Sequence, residues 1–500
     1  MRLRPHGRTV ALLVGTVLAF QWSLTAQAPS PSAKRPISYD VMDSWRSIAG
    51  TKVSSDGQWL AYGLTAQGDD GELVVRNLKS DQEFKSPRGT SPTFTLDGKF
   101  AVFTIAQLKA DEEKERQQTQ SQGQAGEEGR AGGQGGRGSQ AARTPRTGMG
   151  IMSLPDGKVT TFDKVGSFRV PDENSTWLAY YKGVGGAGAG RGGRGAAAGR
   201  GGAAGGRQGA PPAAAAAGEG RGADGTREKR KDPGSDLILR NLVTGEETTI
   251  PEVTEYDFDT KGALLGYATS AVDATRDGAF VRRTADGSVV TLLAGRGHYK
   301  SLAFDDKGQQ LAFFSDKDEY EKPVSPYRLY YWKATDAAAT ELVSASTPGM
   351  LKGMVVSDNA APRFSKDGAR LFLGTAPPPA PPADPDAKTP APIQVDLWST
   401  KDPLIQPMQK VRAEQERTRN YRAVVSLADK KLVQLATPEL PTVNLTDDPA
   451  HALGMNDLPY RMEISWDQAY NDVYLLDIKS GKPQKVLEHW GSNQYLAVSR

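Results

Sequence analysis

The stretch VSSDGQWLAYG, residues 53–63, holds the pattern that decides the fold. A short apolar strand ends at Val53, a polar turn passes through Asp56 and Gly57, and a second alternating strand begins at Trp59. Glycine accepts the positive φ that a tight hairpin needs, and aspartate hydrogen-bonds its own backbone there. The alternation of apolar and polar residues favours a strand with one buried face. The stretch therefore predicts a β-hairpin.

This hairpin repeat recurs along the chain. It is found at 94–104, 168–181, 258–269, 302–315 and 363–375, usually with Asp-Gly or Lys-Gly in the turn. After each copy comes a second hairpin of a different kind, such as LILRNLVTGEETTI at 237–250. Two hairpins make four antiparallel strands in roughly 40–45 residues, which is the period of a β-propeller blade.

Two stretches near the end of the sequence extend the series. Residues 451–478 keep the strand pattern without an Asp-Gly turn and are interpreted as a seventh unit, while QYLAVSR at 494–500 is interpreted as the start of an eighth. The sequence predicts an all-β fold over residues 37–500: a β-propeller with seven largely complete four-stranded blades and the start of an eighth. Because an incomplete ring leaves an unpaired edge, we expect a longer parent protein. The alternative is a seven-unit protein with a short tail.

Three segments interrupt the pattern and are predicted to be insertions. Residues 107–147 and 182–234 are poor in large apolar residues and rich in Gly, Ala, Gln and charged residues, which predicts disordered loops. Residues 376–392 are proline-rich and predict a stiff spacer. The Gly-Arg-Gly-Gly runs carry no aromatic residues for base stacking, and the net charge is only +3. We therefore expect no nucleic-acid partner.

The N-terminus has the features of a secretory signal. Arg2, Arg4 and Arg8 precede an apolar run at 10–20, and small residues follow at Ala26 and Ala28. Residues 1–28 are therefore predicted to be a signal peptide, and the protein to be exported to the periplasm or secreted. The alternative is an uncleaved anchor, although the run is shorter than the about 20 residues that span a bilayer. No other stretch is apolar enough to span.

Cofactor and metal sites are not expected. The chain has no cysteine, and the histidines after the signal region, His298, His451 and His489, lie far apart in the sequence. Neither thiol ligands nor a His-Glu-x-x-His motif is available. The sequence predicts no metal and no cofactor.

Two helices are predicted beside the strands. Residues 401–420 place Leu404, Ile405, Met408 and Val411 at helical spacing, and Lys410–Glu414 and Arg412–Glu416 would form i,i+4 pairs. Residues 38–48 form the second, with Ser38 as N-cap and an apolar face that includes Trp45 and Ile48.

The signal-like N-terminus, the WRSI segment at 45–48, the hairpin repeats and above all KDPLIQPMQKVRAEQERTRNYRAVVSLADKK at 401–431 resemble exported bacterial members of the prolyl oligopeptidase family, most closely the dipeptidyl-peptidase-like branch. The resemblance covers residues 37–500. It implies an N-terminal propeller that screens peptide substrates, followed by an α/β-hydrolase domain with Ser, Asp and His. No Gly-x-Ser-x-Gly elbow occurs in the chain. No catalytic residue is therefore assigned, and the catalytic domain is expected beyond residue 500.

In dipeptidyl-peptidase-like relatives, two adjacent glutamates on a helical propeller insertion bind the free amine of the substrate. The resemblance makes Glu414 and Glu416 the candidates here. Gln415 separates them, so on a helix they point roughly 200° apart, which departs from the family pattern. The alternative is that both are solvated charges in i,i+4 pairs.

Three functions remain open: the propeller of an exported serine peptidase, a non-catalytic periplasmic scaffold that binds another envelope protein, and a propeller hydrolase with its own site at the central channel. The third needs clustered inward acidic or histidine side chains. DKDEY at 316–320 is the best acidic cluster but is expected to be a solvated turn between strands.

Overall fold

The computed structural model describes residues 45–66, 69–114, 117, 147–183, 220–221, 227–228, 231–380, 398–446 and 448–491. The predicted signal peptide, most of the three insertions and the QYLAVSR stretch lie outside these residues, and those interpretations stay predictions. In the described part, no helix is long and apolar enough to cross a bilayer.

The described residues form antiparallel sheets of consecutive strands. The first three four-stranded units, blades 1 to 3, contain β1 (Arg46–Val53), β2 (Trp59–Ala66), β3 (Glu72–Asn77) and β4 (Glu83–Pro87); β5 (Gly89–Phe94), β6 (Phe100–Ile105), β7 (Gly148–Ser153) and β8 (Val159–Phe162); and β9 (Val165–Arg169), β10 (Trp177–Lys182), β13 (Ser235–Asn241) and the first half of β14 (Glu247–Phe258). A two-residue pair, β11 (Gly220–Arg221) with β12 (Arg227–Glu228), lies between β10 and β13.

Four more blades follow. They contain the second half of β14 with β15 (Leu264–Thr269), β16 (Gly278–Arg283) and β17 (Val289–Ala294); β18 (Tyr299–Phe304), β19 (Gln310–Ser315), β20 (Arg328–Lys333) and β21 (Thr340–Val343); β22 (Val355–Ser357), β23 (Arg363–Phe364), β24 (Arg370–Ala376), β25 (Tyr421–Ser426) and β26 (Leu432–Gln434); and β27 (Thr442–Leu445), β28 (His451–Asn456), β29 (Tyr470–Asp477) and β30 (Pro483–Gly491).

Helices are few and short. Helix α1 (Gln406–Arg417) lies between β24 and β25, and residues 109–114 are helical at the start of the first insertion. Short 3-10 helices cover Ala274–Arg276, Lys317–Glu319, Leu458–Tyr460 and Glu463–Ser465.

Neighbouring blades share apolar cores. In the first, Trp59 and Leu73 of blade 1 pack with Phe103 and Met152 of blade 2. Five further clusters join blades 2 and 3, 3 and 4, 4 and 5, 5 and 6, and 6 and 7 in the same way. Each fully buried large side chain contributes roughly 1.5–3 kcal/mol. This face-to-face stacking of seven consecutive four-stranded sheets is the architecture of a β-propeller, as the sequence predicted.

The turn residues act as the repeat predicts. Gly57 has φ of 66°, and the glycines of the other Asp-Gly and Lys-Gly turns have similar values. The Ser54 hydroxyl donates to Asp56 at 2.5 Å, and the Gln58 amide donates to the same carboxylate at 3.0 Å. The seventh blade keeps this chemistry without glycine, since the Asp448 carboxylate accepts a hydrogen bond from the Ala450 amide at 2.8 Å. The turn is therefore present although the sequence lacks the Asp-Gly pair.

One local prediction is wrong, and two strands depart from the simple repeat. Residues 46–48, predicted to be helical, belong to β1, because pairing of Ile48 with Leu64 along β2 outweighs the local helical pattern. Strand β14 runs through blades 3 and 4 as one strand. The first strand of blade 6 is split into β22 and β23, where Pro362 offers no amide for pairing.

Candidate functional site

One end of the propeller collects its longest connections. In a four-stranded antiparallel blade, the link from the second to the third strand leaves from the end opposite the two hairpin turns. The three insertions, α1 and the loop from 457 to 469 all occupy this link in their blades. We call this end the insertion end. Any site built by these segments lies there.

Helix α1 is shorter than predicted. Ile405 is extended at its N-cap, Pro407 lies in its first turn, and Arg417 lies in its last turn, where a cation interacts favourably with the helix dipole. The apolar stripe is only partly covered, because Leu404 is buried while Val411 is 76% exposed. One apolar position of α1 therefore faces solvent.

The two candidate glutamates on α1 are each paired with an arginine. Glu414 accepts a hydrogen bond from Arg417 at 3.2 Å, and Glu416 accepts from Arg419 Nε at 2.5 Å. These are i,i+3 pairs, whereas i,i+4 pairs were predicted. The Arg419 hydrogen bond holds the pKa of Glu416 below its ordinary value. The two carboxylates therefore bind different arginines and do not share one cation. Their role in binding the amine of a substrate stays a prediction.

Polar bridges cross between the first strands of successive blades, which converge toward the axis (β1 contacts β5, and β14 contacts β18). Arg169 of blade 3 pairs with Asp257 of blade 4. The Glu255 carboxylate of blade 4 accepts the amide hydrogens of Ser301 at 2.7 Å and Leu302 at 3.0 Å in blade 5.

Blade 5 is joined to blade 6 by a further bridge. Lys300 Nζ donates to Asp358 at 2.5 Å and lies 4.2 Å from the centre of the Tyr327 ring. The neighbouring Ser301 has φ of 59°, at a bulge in β18. Sequence analysis missed these residues, although a signal exists: charged residues interrupt the apolar strands of EYDF at 255–258 and YKSLAF at 299–304.

The three histidines each pair with a carboxylate. The atom pairs are His298 Nδ1 with Asp316 Oδ2 at 2.9 Å, His451 Nδ1 with Asp448 Oδ2 at 2.6 Å, and His489 Nε2 with Glu463 Oε2 at 3.0 Å. In the part of the chain that the structure describes, none of them hydrogen-bonds a serine hydroxyl, and no group of three or more metal-binding side chains is found.

The acidic cluster at 316–320 lies between β19 and β20, as expected, but it is not a solvated turn throughout. Asp316 and Tyr320 are 3% and 2% exposed. Asp318 accepts a hydrogen bond from Tyr330 at 2.5 Å, and bonds from Lys322 and Arg328 lower the pKa of Glu319. The carboxylates therefore mainly hold the loop in place.

Among the described residues, the face of blade 1 that turns away from blade 2 is partly exposed. Among the described residues, no apolar cluster joins blade 1 to blade 7. A cleft of about 610 Å³ lies on this face and is lined by Leu60, Tyr62, Arg76, Lys79 and Asp81, among others.

No family model matches the chain, and no curated protein is similar to it. Solved structures with a similar fold include a prolyl endopeptidase (10% identity, TM-score 0.35), the dipeptidyl peptidase 4 of Porphyromonas gingivalis (11%, 0.40) and the β-propeller domain of the Trilobed protease from Pyrococcus furiosus (8%, 0.30). The similarities cover 97%, 88% and 89% of this chain and 56%, 52% and 99% of those chains. The chain thus spans about half the length of the first two. Two of the three are peptidases by name, and the third is the propeller domain of a protease.

Proposed function

We propose that the chain is the N-terminal propeller of an exported serine peptidase that acts on peptides. In this proposal the propeller gates and shapes the substrate cavity, and the catalytic α/β-hydrolase domain lies beyond residue 500. Export rests on the signal-like residues 1–28.

The observation that carries the proposal is α1. The stretch 401–431 has the most specific resemblance to the prolyl oligopeptidase family, and it forms a helix inserted between two central strands of blade 6. Many propellers have the hairpin repeat, whereas a helical insertion of this sequence at this position is a narrower feature. The fold and the insertion agree with the same family.

The chemistry of the described residues supports a gate rather than a self-contained hydrolase. Hydrolysis by a serine nucleophile needs an adjacent base and an oxyanion hole. The chain has no Gly-x-Ser-x-Gly, and the nearest polar partner of each described histidine is a carboxylate. Polar bridges between the first strands tie blades 3 to 6 together and would hold the cavity wall rigid.

A second candidate function is a non-catalytic periplasmic scaffold that binds another envelope protein. The cleft on blade 1 favours it, because among the described residues Leu60 and Tyr62 in its lining offer a partner apolar contact area.

The coding sequence downstream of Arg500 separates the two. The peptidase proposal expects about 250 further residues, the size of one large domain, with a Gly-x-Ser-x-Gly followed by Asp and His. A stop codon directly after Arg500 would favour the scaffold and contradict the peptidase proposal.

A further inference from the structure

Three arginine side chains gather at the insertion end, where α1 meets the loop after β28. Arg461 donates through Nε and Nη2 to Asp457 Oδ1, both at 3.1 Å. Arg419 forms a two-bond pair with Glu416. Arg412 Nη1 lies 4.0 Å from Asp457 Oδ2. We call these three arginines with Glu416 and Asp457 the arginine cluster.

The arginine cluster carries one net positive charge, from three guanidinium groups and two carboxylates. The arginine side chains are 30%, 23% and 17% exposed for Arg412, Arg419 and Arg461. Charges that are partly buried are screened less by salt than exposed ones. The charges of Arg461 and Arg412 add to the Arg419 hydrogen bond in lowering the pKa of Glu416, so the three cations act on one small region.

Arg412 is the member of the arginine cluster whose guanidinium has hydrogen-bond donors available for a ligand. Its closest carboxylate oxygen, at 4.0 Å, is beyond hydrogen-bond distance, and among the described residues its guanidinium makes no hydrogen bond. A guanidinium has five N–H donors in a planar fork that fits a carboxylate with two parallel bonds. Asp457 is close enough to orient this fork electrostatically without occupying it.

Exposed apolar side chains lie on the same two segments as the cluster. Val411 precedes Arg412 on α1, and the loop after β28 contributes Leu458, Met462 and Trp466, the last 70% exposed. Arginine, tryptophan and methionine are residue types enriched in binding surfaces. The surface therefore combines a cation with apolar contact area.

We propose that this surface binds a peptide through a carboxylate, with Arg412 forming a two-bond pair with that carboxylate and the side chains at 458, 462 and 466 covering a neighbouring apolar residue. The proposal rests on the proposed function for the choice of a peptide over other carboxylates. The carboxylate comes either from the peptide C-terminus or from an acidic side chain.

The test is a titration of the full chain with three pentapeptides, in which calorimetry measures the binding. The first has the sequence Ala-Ala-Ala-Leu-Ala with a free C-terminus, and the second has the same sequence with an amidated C-terminus. The third is also amidated and has Glu in the last position. We expect the free acid to bind about tenfold more tightly than the plain amide, in line with one charged hydrogen-bonded pair. Glu-peptide binding as strong as the free acid assigns an acidic side chain as a source, and weaker binding assigns the C-terminus.

Arg412→Gln should reduce binding of the free acid to the level of the amide, and Arg412→Lys should restore part of it. Arg417→Gln is the matched control, because Arg417 lies on the same helix, is 76% exposed and pairs with Glu414, outside the arginine cluster. It should leave binding unchanged. Equal affinity for all three peptides, no binding by any of them, or full binding by Arg412→Gln would overturn the proposal.

Two further readouts keep this proposal apart from the proposed function. If peptide binding depends on Arg412 but the longer form of the protein has no peptidase activity, the binding site is supported and the peptidase proposal is contradicted. A dimer in sedimentation that Arg412→Gln abolishes would instead assign the surface to a second copy of the chain and overturn peptide binding.

Discussion

The Glu255 carboxylate reaches from blade 4 to the first strand of blade 5, where Oε2 accepts the Ser301 amide hydrogen at 2.7 Å. Ser301 is at a bulge with φ of 59°, so Glu255 satisfies an amide that the strand ladder leaves free. The contact links blades 4 and 5 through one acidic side chain, so the charge of Glu255 should affect the stability of the fold.

Stability should depend on the protonation of Glu255. Burial raises its pKa from 4.5 to about 7. The folded chain therefore retains a proton that the unfolded chain releases above pH 4.5. The stability from this group is present below pH 4.5 and is lost as pH rises through about 7, by up to about 3 kcal/mol. Urea unfolding of the wild type and Glu255→Gln between pH 4.5 and 8 measures the difference.

In this comparison Glu255→Gln should flatten the decline in stability. Glu83→Gln, at a surface carboxylate 3.2 Å from Lys85, is the control and should leave the wild-type slope. Parallel pH profiles for the wild type and Glu255→Gln would contradict the assignment.

The repeated turns offer a matched pair of glycines. Gly57 and Gly262 have φ of 66° and 62°, but an added Cβ at Gly57 meets open space, while at Gly262 it would lie 2.7 Å from Pro171 Cγ. Gly57→Ala should cost about 1–2 kcal/mol from the backbone alone. Gly262→Ala should cost about 1–3 kcal/mol more from the clash. Equal shifts in the urea midpoint would mean that Pro171 moves away freely.

Lys231 lies near the end of the predicted insertion at 182–234, and it should be more important to stability than residues 185–230 before it. Its side chain is 9% exposed and pairs with Asp277, which is fully buried, and Nζ also donates to the Gly297 carbonyl at 2.5 Å. Lys231→Met leaves that carboxylate without its cation and should cost about 3–5 kcal/mol. Replacement of residues 185–230 by a short Gly-Ser linker keeps Lys231 and should change the melting temperature little.

The control for this comparison is Lys333→Met at an exposed lysine, which should be nearly neutral. A large drop in melting temperature after the deletion would show that residues 185–230 pack on the propeller, and the prediction of a disordered loop would then be wrong.

The hairpins were predictable because their chemistry is local. Asp56 and Gly57 fix the turn through contacts within five residues, so each repeat can be recognised from its own sequence. The helix prediction for 38–48 is wrong at its C-terminal end for the opposite reason. Ile48 pairs with Leu64, and no local feature of WRSI indicates that partner.

The candidate site was only partly predictable. Helix α1 follows from the spacing of its apolar residues, but the carboxylate nearest to Arg412 is that of Asp457, on another blade. Likewise, Glu255 meets Ser301 only after two blades have stacked. Contacts between blades depend on the register of whole sheets, which the periodicity of one strand does not specify.

We propose that residues 1–500 form a substrate gate without a nucleophile of their own. Treatment of this chain with a fluorophosphonate serine probe, beside a longer chain that includes the residues after Arg500, tests it most directly. We expect no labelling of the 500-residue chain and stoichiometric labelling of one serine beyond residue 500 in the longer one. Stoichiometric labelling of any serine within residues 1–500 would contradict it.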